Sequence, residues 1–192
     1  MRYDVIMIGA SAGGMETLKE ILSVLEPDFA IPIVVVQHIA ADSDNYLVTY
    51  LNAHADIVVK EAAEKEHLHA GVVYICPPNY HLLLEEDKTI TLATFEKVNF
   101  SRPSIDVLFE TGAMAFYSSA IALLLTGASR DGTYGMGIVH SLGGMTVVQD
   151  PQTAYVPNMP ASAIKSTPVD YVLPLQDIAP FFNTLSRNLR KP

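Results

Sequence analysis

Ser11, His38 and Asp131 are one each of the side-chain types that nucleophilic hydrolysis of an ester or amide uses. A serine hydroxyl attacks the carbonyl, an imidazole takes its proton, and a carboxylate fixes the imidazole tautomer and stabilises the imidazolium. Gly9-Ala10-Ser11-Ala12-Gly13 fits the G-x-S-x-G elbow, in which small neighbours let the serine oxygen stand clear of a tight bend. Backbone N–H groups at the start of the following helix are suited to hold an oxyanion. Each residue also has a plainer reading: Ser11 as a helix N-cap, His38 as a strand-end group bonded to backbone, and Asp131, beside Gly132, as a turn residue. The joint reading gains from position, because each of the three comes just after an apolar strand.

The strands follow from composition and spacing. Residues 3–8 are a mostly apolar run that ends in small residues, as a strand buried on both faces would. A helix over 14–25 puts Met15, Leu18, Ile21, Leu22 and Leu25 on one stripe, and Glu26-Pro27-Asp28 stops it. Residues 31–36 form a second buried strand that ends in Gln37-His38. Strand, helix and strand over this distance make a right-handed parallel unit, so Ser11 and His38 leave the same sheet edge. A third apolar run, 120–125, leads into Thr126-Gly127-Ala128-Ser129-Arg130-Asp131-Gly132 and brings Asp131 to that edge.

The remaining segments complete an α/β pattern. Ala41-Asp42-Ser43-Asp44 caps a helix through 46–51, and 57–59 is a short strand. Segments 72–75, 80–84 and 89–94 read as an antiparallel meander at one side of the sheet. Residues 99–104 are a loop into a helix capped by Ser104, with Asp106 in the first turn, where the helix dipole favours negative charge. Then come a helix over 134–142, a strand over 144–149, a Pro-rich loop over 150–160, a short helix over 161–164, a strand over 169–173 and a terminal helix over 178–189. The expectation is one doubly wound α/β domain over residues 1–192, a mostly parallel sheet with helices on both faces and a small antiparallel meander.

Composition narrows the function. The net charge of −9 gives no basic stripe to neutralise phosphates, which argues against nucleic acid. The longest apolar runs have strand length and no signal peptide is evident, so neither membrane insertion nor export is expected, and the location expected is the cytoplasm. The single Cys76, in an apolar strand end, reads as a small core residue. His67 and His69 are two apart, with no third ligand evident, so no metal is expected. Dinucleotide binding needs glycine where Ser11 stands and an acidic residue where the second strand ends in Gln37-His38. No cofactor is expected.

Taken together and in order, Ile8-Gly9-Ala10-Ser11-Ala12-Gly13-Gly14, Val36-Gln37-His38, Arg102-Pro103-Ser104-Ile105-Asp106-Val107-Leu108-Phe109 and Leu125 to Gly132 resemble the catalytic domain of the CheB family, the chemoreceptor protein-glutamate methylesterases. Gln149-Asp150-Pro151 and Asn158 to Ile164 continue the match. The resemblance implies Ser11 as nucleophile, His38 as base and Asp131 as its orienting acid, with Ala12, Gly13 and Ala128 as expected substrate or oxyanion contacts. It further implies methyl-accepting chemotaxis receptor helices as substrate, demethylation of γ-glutamyl methyl esters, and deamidation of receptor glutamines. The sequence departs from the family pattern at Ala12, where threonine is common, and at Ala128-Ser129, where methionine and glycine are usual. A serine at 129 disfavours a positive φ. The first strand starts almost at Met1, so the family's receiver domain is not expected ahead of it; either control comes from elsewhere, a separate receiver protein being one source, or the chain is a piece excised from a longer protein. The competing expectation is a catalytically weakened signalling module that binds a partner helix.

Overall fold

The sixfold run Val-Ile-Met-Ile-Gly-Ala builds the central strand, and its side chains divide the core in two. In the computed structural model, which describes residues 3–190, Ile6, Ile8 and Ala10 point to one face of the sheet and Val5 and Met7 to the other. The chain runs β1 (Val5–Ala10), α1 (Gly14–Leu22), β2 (Ile33–Gln37), α2 (Tyr46–Asn52), β3 (Val58–Glu61), β4 (Val72–Ile75), β5 (His81–Leu84) and β6 (Ile90–Ala93). It continues with α3 (Ile105–Phe116), β7 (Ala120–Leu124), α4 (Thr133–Ser141), β8 (Met145–Gln149), α5 (Asn158–Ser166), β9 (Tyr171–Leu173) and α6 (Leu175–Leu189).

Seven strands form one parallel sheet in the order β3-β4-β2-β1-β7-β8-β9. Leu18, Ile21 and Leu22 of α1, Leu47 and Leu51 of α2, and Ile178 and Phe182 of α6 cover one face. Leu108 and Phe109 of α3, Met136 and Val139 of α4, and Met159 and Ala163 of α5 cover the other. The inner strands β1, β2 and β7 are therefore dry on both faces, which is why they carry continuous apolar runs instead of alternating ones, while the edge strands β3 and β9 keep exposed residues. From β1 the sheet grows one way through β2 and the other way through β7. The order reverses at the β1/β7 boundary, and the crevice at the carboxyl ends of these strands is where such sheets bind ligands.

The 72–94 region differs from the expected meander. Val72–Ile75 lies between β3 and β2, parallel to both, and only β5 and β6 are antiparallel. The connection 62–71 is long enough to carry the chain back to the amino edge before β4. The β5-β6 hairpin forms its own two-stranded sheet, with Leu82, Leu84 and Ile90 in the cluster that contains Leu108 and Phe109. Helix α5 begins at Asn158 instead of 161, because Pro160 sits in its first turn, where a missing N–H is no loss.

Candidate functional site

Ser11 sits in the turn between β1 and α1, its N–H bound to Thr126 O at 2.9 Å. The N-cap of α1 is Gly13, at φ 78°, so Ser11 does not serve as the cap. Gly13 suits that left-handed conformation, and a Cβ there would also strike the Tyr155 ring. His38 follows β2, and its N–H bonds to Ala10 O at 2.9 Å. Its Nδ1 lies 3.2 Å from Ser11 Oγ, and its Nε2 lies 2.8 Å from Asp131 Oδ2. The structure thus brings together the three residues singled out from sequence. Their imidazole is turned the other way from familiar protease triads, where Nε2 faces the serine.

Asp131 is fully buried, yet densely bonded. Its Oδ1 accepts from Ser104 Oγ at 2.9 Å, the Asp106 N–H at 3.1 Å, the Gly132 N–H at 3.1 Å and Asn99 Nδ2 at 3.0 Å. Oδ2 accepts the Ile105 N–H at 2.7 Å in addition to the imidazole. The carboxylate therefore caps α3 from another part of the chain, in the role expected of the Ser104 side chain, while Ser104 donates to it. Free N–H groups and the dipole at the helix start both favour negative charge. Burial works against ionisation, but the hydrogen bonds from His38, Asn99 and the Ile105 N–H outweigh it and bring Asp131 down to about 2. An ionised Oδ2 calls for a proton on Nε2 of His38, which leaves the Nδ1 lone pair toward Ser11.

Asp106 behaves differently from expectation. It lies in the first turn of α3, but burial and the adjacent Asp131 charge raise it to about 6, against the bond from the Gly135 N–H. Asn99 Nδ2 bridges the two carboxylates, 2.6 Å from Asp106 Oδ2. The consequence for stability has a definite sign. Between the ordinary 3.8 and about 6 the native state binds the Asp106 proton more tightly than the unfolded chain, so stability falls as pH rises through this window, and the loss is complete above it. Asp131 acts in the opposite sense: its contribution is complete above 3.8 and fades as pH falls toward about 2. Urea unfolding from pH about 4 to about 7 is expected to show a decline that Asp106→Asn flattens. An identical decline in the variant would remove Asp106 as its source.

Buried polar groups at strand ends, which the sequence reading passed over, tie the loops together. Gln37 Nε2 donates to Ser11 O at 2.8 Å and His38 O at 3.0 Å, joining the two turns. A Cβ at Gly14 would overlap Gln37 Oε1, which explains the glycine. Thr126 Oγ1 donates to Ala12 O at 2.8 Å and accepts from the Val156 N–H, and Gln149 Oε1 accepts the Thr126 N–H. The signal was present: Gln37, Thr126 and Gln149 are polar residues closing apolar strand runs.

Among the described residues the N–H groups of Ala12, Gly13 and Ala128 make no hydrogen bond to protein. Neither Ala128 nor Ser129 adopts a positive φ, so serine in place of the usual glycine brings no backbone strain. Ser129 Oγ instead accepts the Asp131 N–H at 3.2 Å. A cavity of about 190 Å³ opens beside His38, between Ala41, Asn79 and the 97–103 segment. A larger one, about 500 Å³, lies near Tyr3 and Pro32 at the amino edge and contains none of the three residues. Among the described residues no helix is long and apolar enough to cross a membrane.

Fold and site together define a doubly wound α/β protein with a Ser–His–Asp constellation at its switch point. A model of the CheB methylesterase family matches residues 6–182, and the chain belongs to that family. A Leptospira interrogans protein named as a candidate protein-glutamate methylesterase/protein-glutamine glutaminase is 51% identical, over 98% of this chain and 97% of its own. The protein-glutamate methylesterase/protein-glutamine glutaminase of Thermotoga maritima is 36% identical over 91% of this chain and 52% of its own. The crystal structure of the Thermotoga maritima CheB methylesterase catalytic domain superposes with a TM-score of 0.91 at 35% identity, covering 96% of this chain and all of that one.

Proposed function

We propose that this protein is a serine-type carboxylic ester hydrolase that demethylates γ-glutamyl methyl esters on the cytoplasmic helices of a chemoreceptor. Residues 1–192 act as one catalytic domain. The observation that carries this reading is the unbroken hydrogen-bonded run Ser11–His38–Asp131 at the sheet's carboxyl edge, in a member of the CheB methylesterase family.

In the first half-reaction Ser11 Oγ attacks the ester carbonyl carbon as its proton passes to His38 Nδ1. Asp131 stabilises the imidazolium through Nε2–H. The unused N–H groups of Ala12, Gly13 and Ala128 are the donors for the tetrahedral oxyanion, where a fixed donor is worth more than water because it needs no reorganisation. His38 then returns the proton to the leaving methoxide, and methanol departs from the acyl-enzyme. Water, deprotonated by the same Nδ1, attacks the acyl carbon and releases glutamate and Ser11. A glutamine side chain in place of the ester gives the same acyl-enzyme with loss of ammonia, which is the deamidation the reading includes.

The test is methanol release from a methylated chemoreceptor fragment, with free glutamate appearing in equal amount. Absence of methanol from a folded protein and a folded fragment would overturn the reading.

A further inference from the structure

The 97–101 segment beside the site is built for something the catalytic residues do not use. Val98 and Ser101 pair with each other through both N–H groups, at 3.2 and 2.9 Å, leaving Asn99 and Phe100 as a two-residue turn with φ 52° and 63°. Such turns favour Asn followed by Gly, and an aromatic residue at positive φ is strained. Here the second position is Phe100, 98% exposed. It packs on nothing and does not suit its turn, a combination expected at sites whose function offsets the strain. Asn99 fastens the turn to Asp131 and Asp106, so Phe100 is held at a fixed place relative to the catalytic carboxylate.

The charge around it is equally specific. In a chain of net charge −9, the cavity shared by His38 and Phe100 is lined by Lys97 and Arg102 and by no carboxylate. Among the described residues Arg102 bonds only neutral acceptors, Asn79 Oδ1 and the Thr94 and Phe95 carbonyls, so its charge is not cancelled. Lys97 has neither a hydrogen bond nor an ion pair among the described residues. A cationic, acid-free cavity next to the imidazole complements an anion on the substrate beside the scissile ester.

We infer that the 97–101 turn is the arm that reads the substrate helix: Phe100 packs on its apolar surface next to the ester, and the Lys97 ammonium pairs with a carboxylate of a neighbouring glutamate. This rests on the methylesterase reading and adds to it a preference for esters set among unmodified or already demethylated glutamates.

Steady-state demethylation is measured on a methylated helical receptor fragment and on a copy whose neighbouring glutamate is lysine, with p-nitrophenyl acetate as a small ester that cannot reach the arm. Lys97→Glu is expected to raise KM for the first fragment about fivefold, with kcat held, and to lower it for the second; both effects shrink in high salt. Phe100→Ala is expected to raise KM about tenfold for both fragments. Small-ester turnover should stay within about twofold in each variant, which also checks folding. Unchanged KM values would overturn the inference. So would equal losses on the small ester, which would make the arm a support of the triad, or unchanged KM with lost binding of a receiver protein, which would make it that partner's docking site. Binding of the unmethylated fragment, followed by fluorescence anisotropy, separates the two levels. Binding that depends on Lys97 without methanol release would sink the methylesterase reading alone, and release without that dependence would sink the arm alone.

Discussion

Ser11→Ala is expected to reduce kcat for methanol release by at least about 10⁴-fold while leaving the fold intact. The loss should be this large because, in the proposed mechanism, the hydroxyl is the atom that forms the acyl-enzyme, and residues of such a unit fail together instead of in proportion. The fold should survive because Ser11 is partly exposed, contributes no side-chain cap to α1 and, among the described residues, makes its side-chain bond only to His38. The backbone bonds that hold the turn, Ser11 N–H to Thr126 O and Gln37 Nε2 to Ser11 O, do not involve the hydroxyl. Receptor binding should therefore persist with turnover lost. Retained methanol release would mean that another group attacks the ester.

Asp131→Asn is expected to lower kcat by about 10⁴-fold and to lower the melting temperature as well. The amide oxygen can keep the four donors now on Oδ1, but the amide nitrogen replaces Oδ2 opposite His38 and the Ile105 N–H. Facing a donor, the imidazole takes its proton on Nδ1, which then points at Ser11 and can no longer accept its proton. The Ile105 N–H is left without its acceptor at the buried start of α3, a loss of about 1–3 kcal/mol. Asp131→Ala would strand several N–H groups at once and confound folding with chemistry. Thermal melts beside steady-state kinetics read both effects; a variant with normal turnover would show that the carboxylate does not set the tautomer.

The legibility of the site follows from how each residue reaches it. Ser11, His38 and Asp131 were readable because each comes just after an apolar strand of a parallel sheet, and parallel strands deliver their carboxyl ends to one edge. Asn99 was not, because it lies in a loop without periodicity and meets Asp131 only through the packing of the hairpin region against α3. The position of Asp106 in the first turn of its helix is legible from the sequence, but its burial beside a second carboxylate is a tertiary fact that reverses the simple dipole argument. The strand Val72–Ile75 was readable as a strand and not as a neighbour of β2, since period and turn residues give an element's type and not its pairing. At Ser129 the family pattern suggested strain, whereas the loop takes a conformation open to any residue and uses the hydroxyl to support Asp131.

The central claim is that the Ser11 hydroxyl is a nucleophile activated by His38. Incubation of the folded protein with a serine-directed fluorophosphonate, followed by peptide mapping in a mass spectrometer, reads this directly. The account predicts a single adduct, on Ser11, that forms in the wild type and fails to form in His38→Ala. An unmodified Ser11 in the folded wild type, or labelling that proceeds equally well without the imidazole, would contradict it.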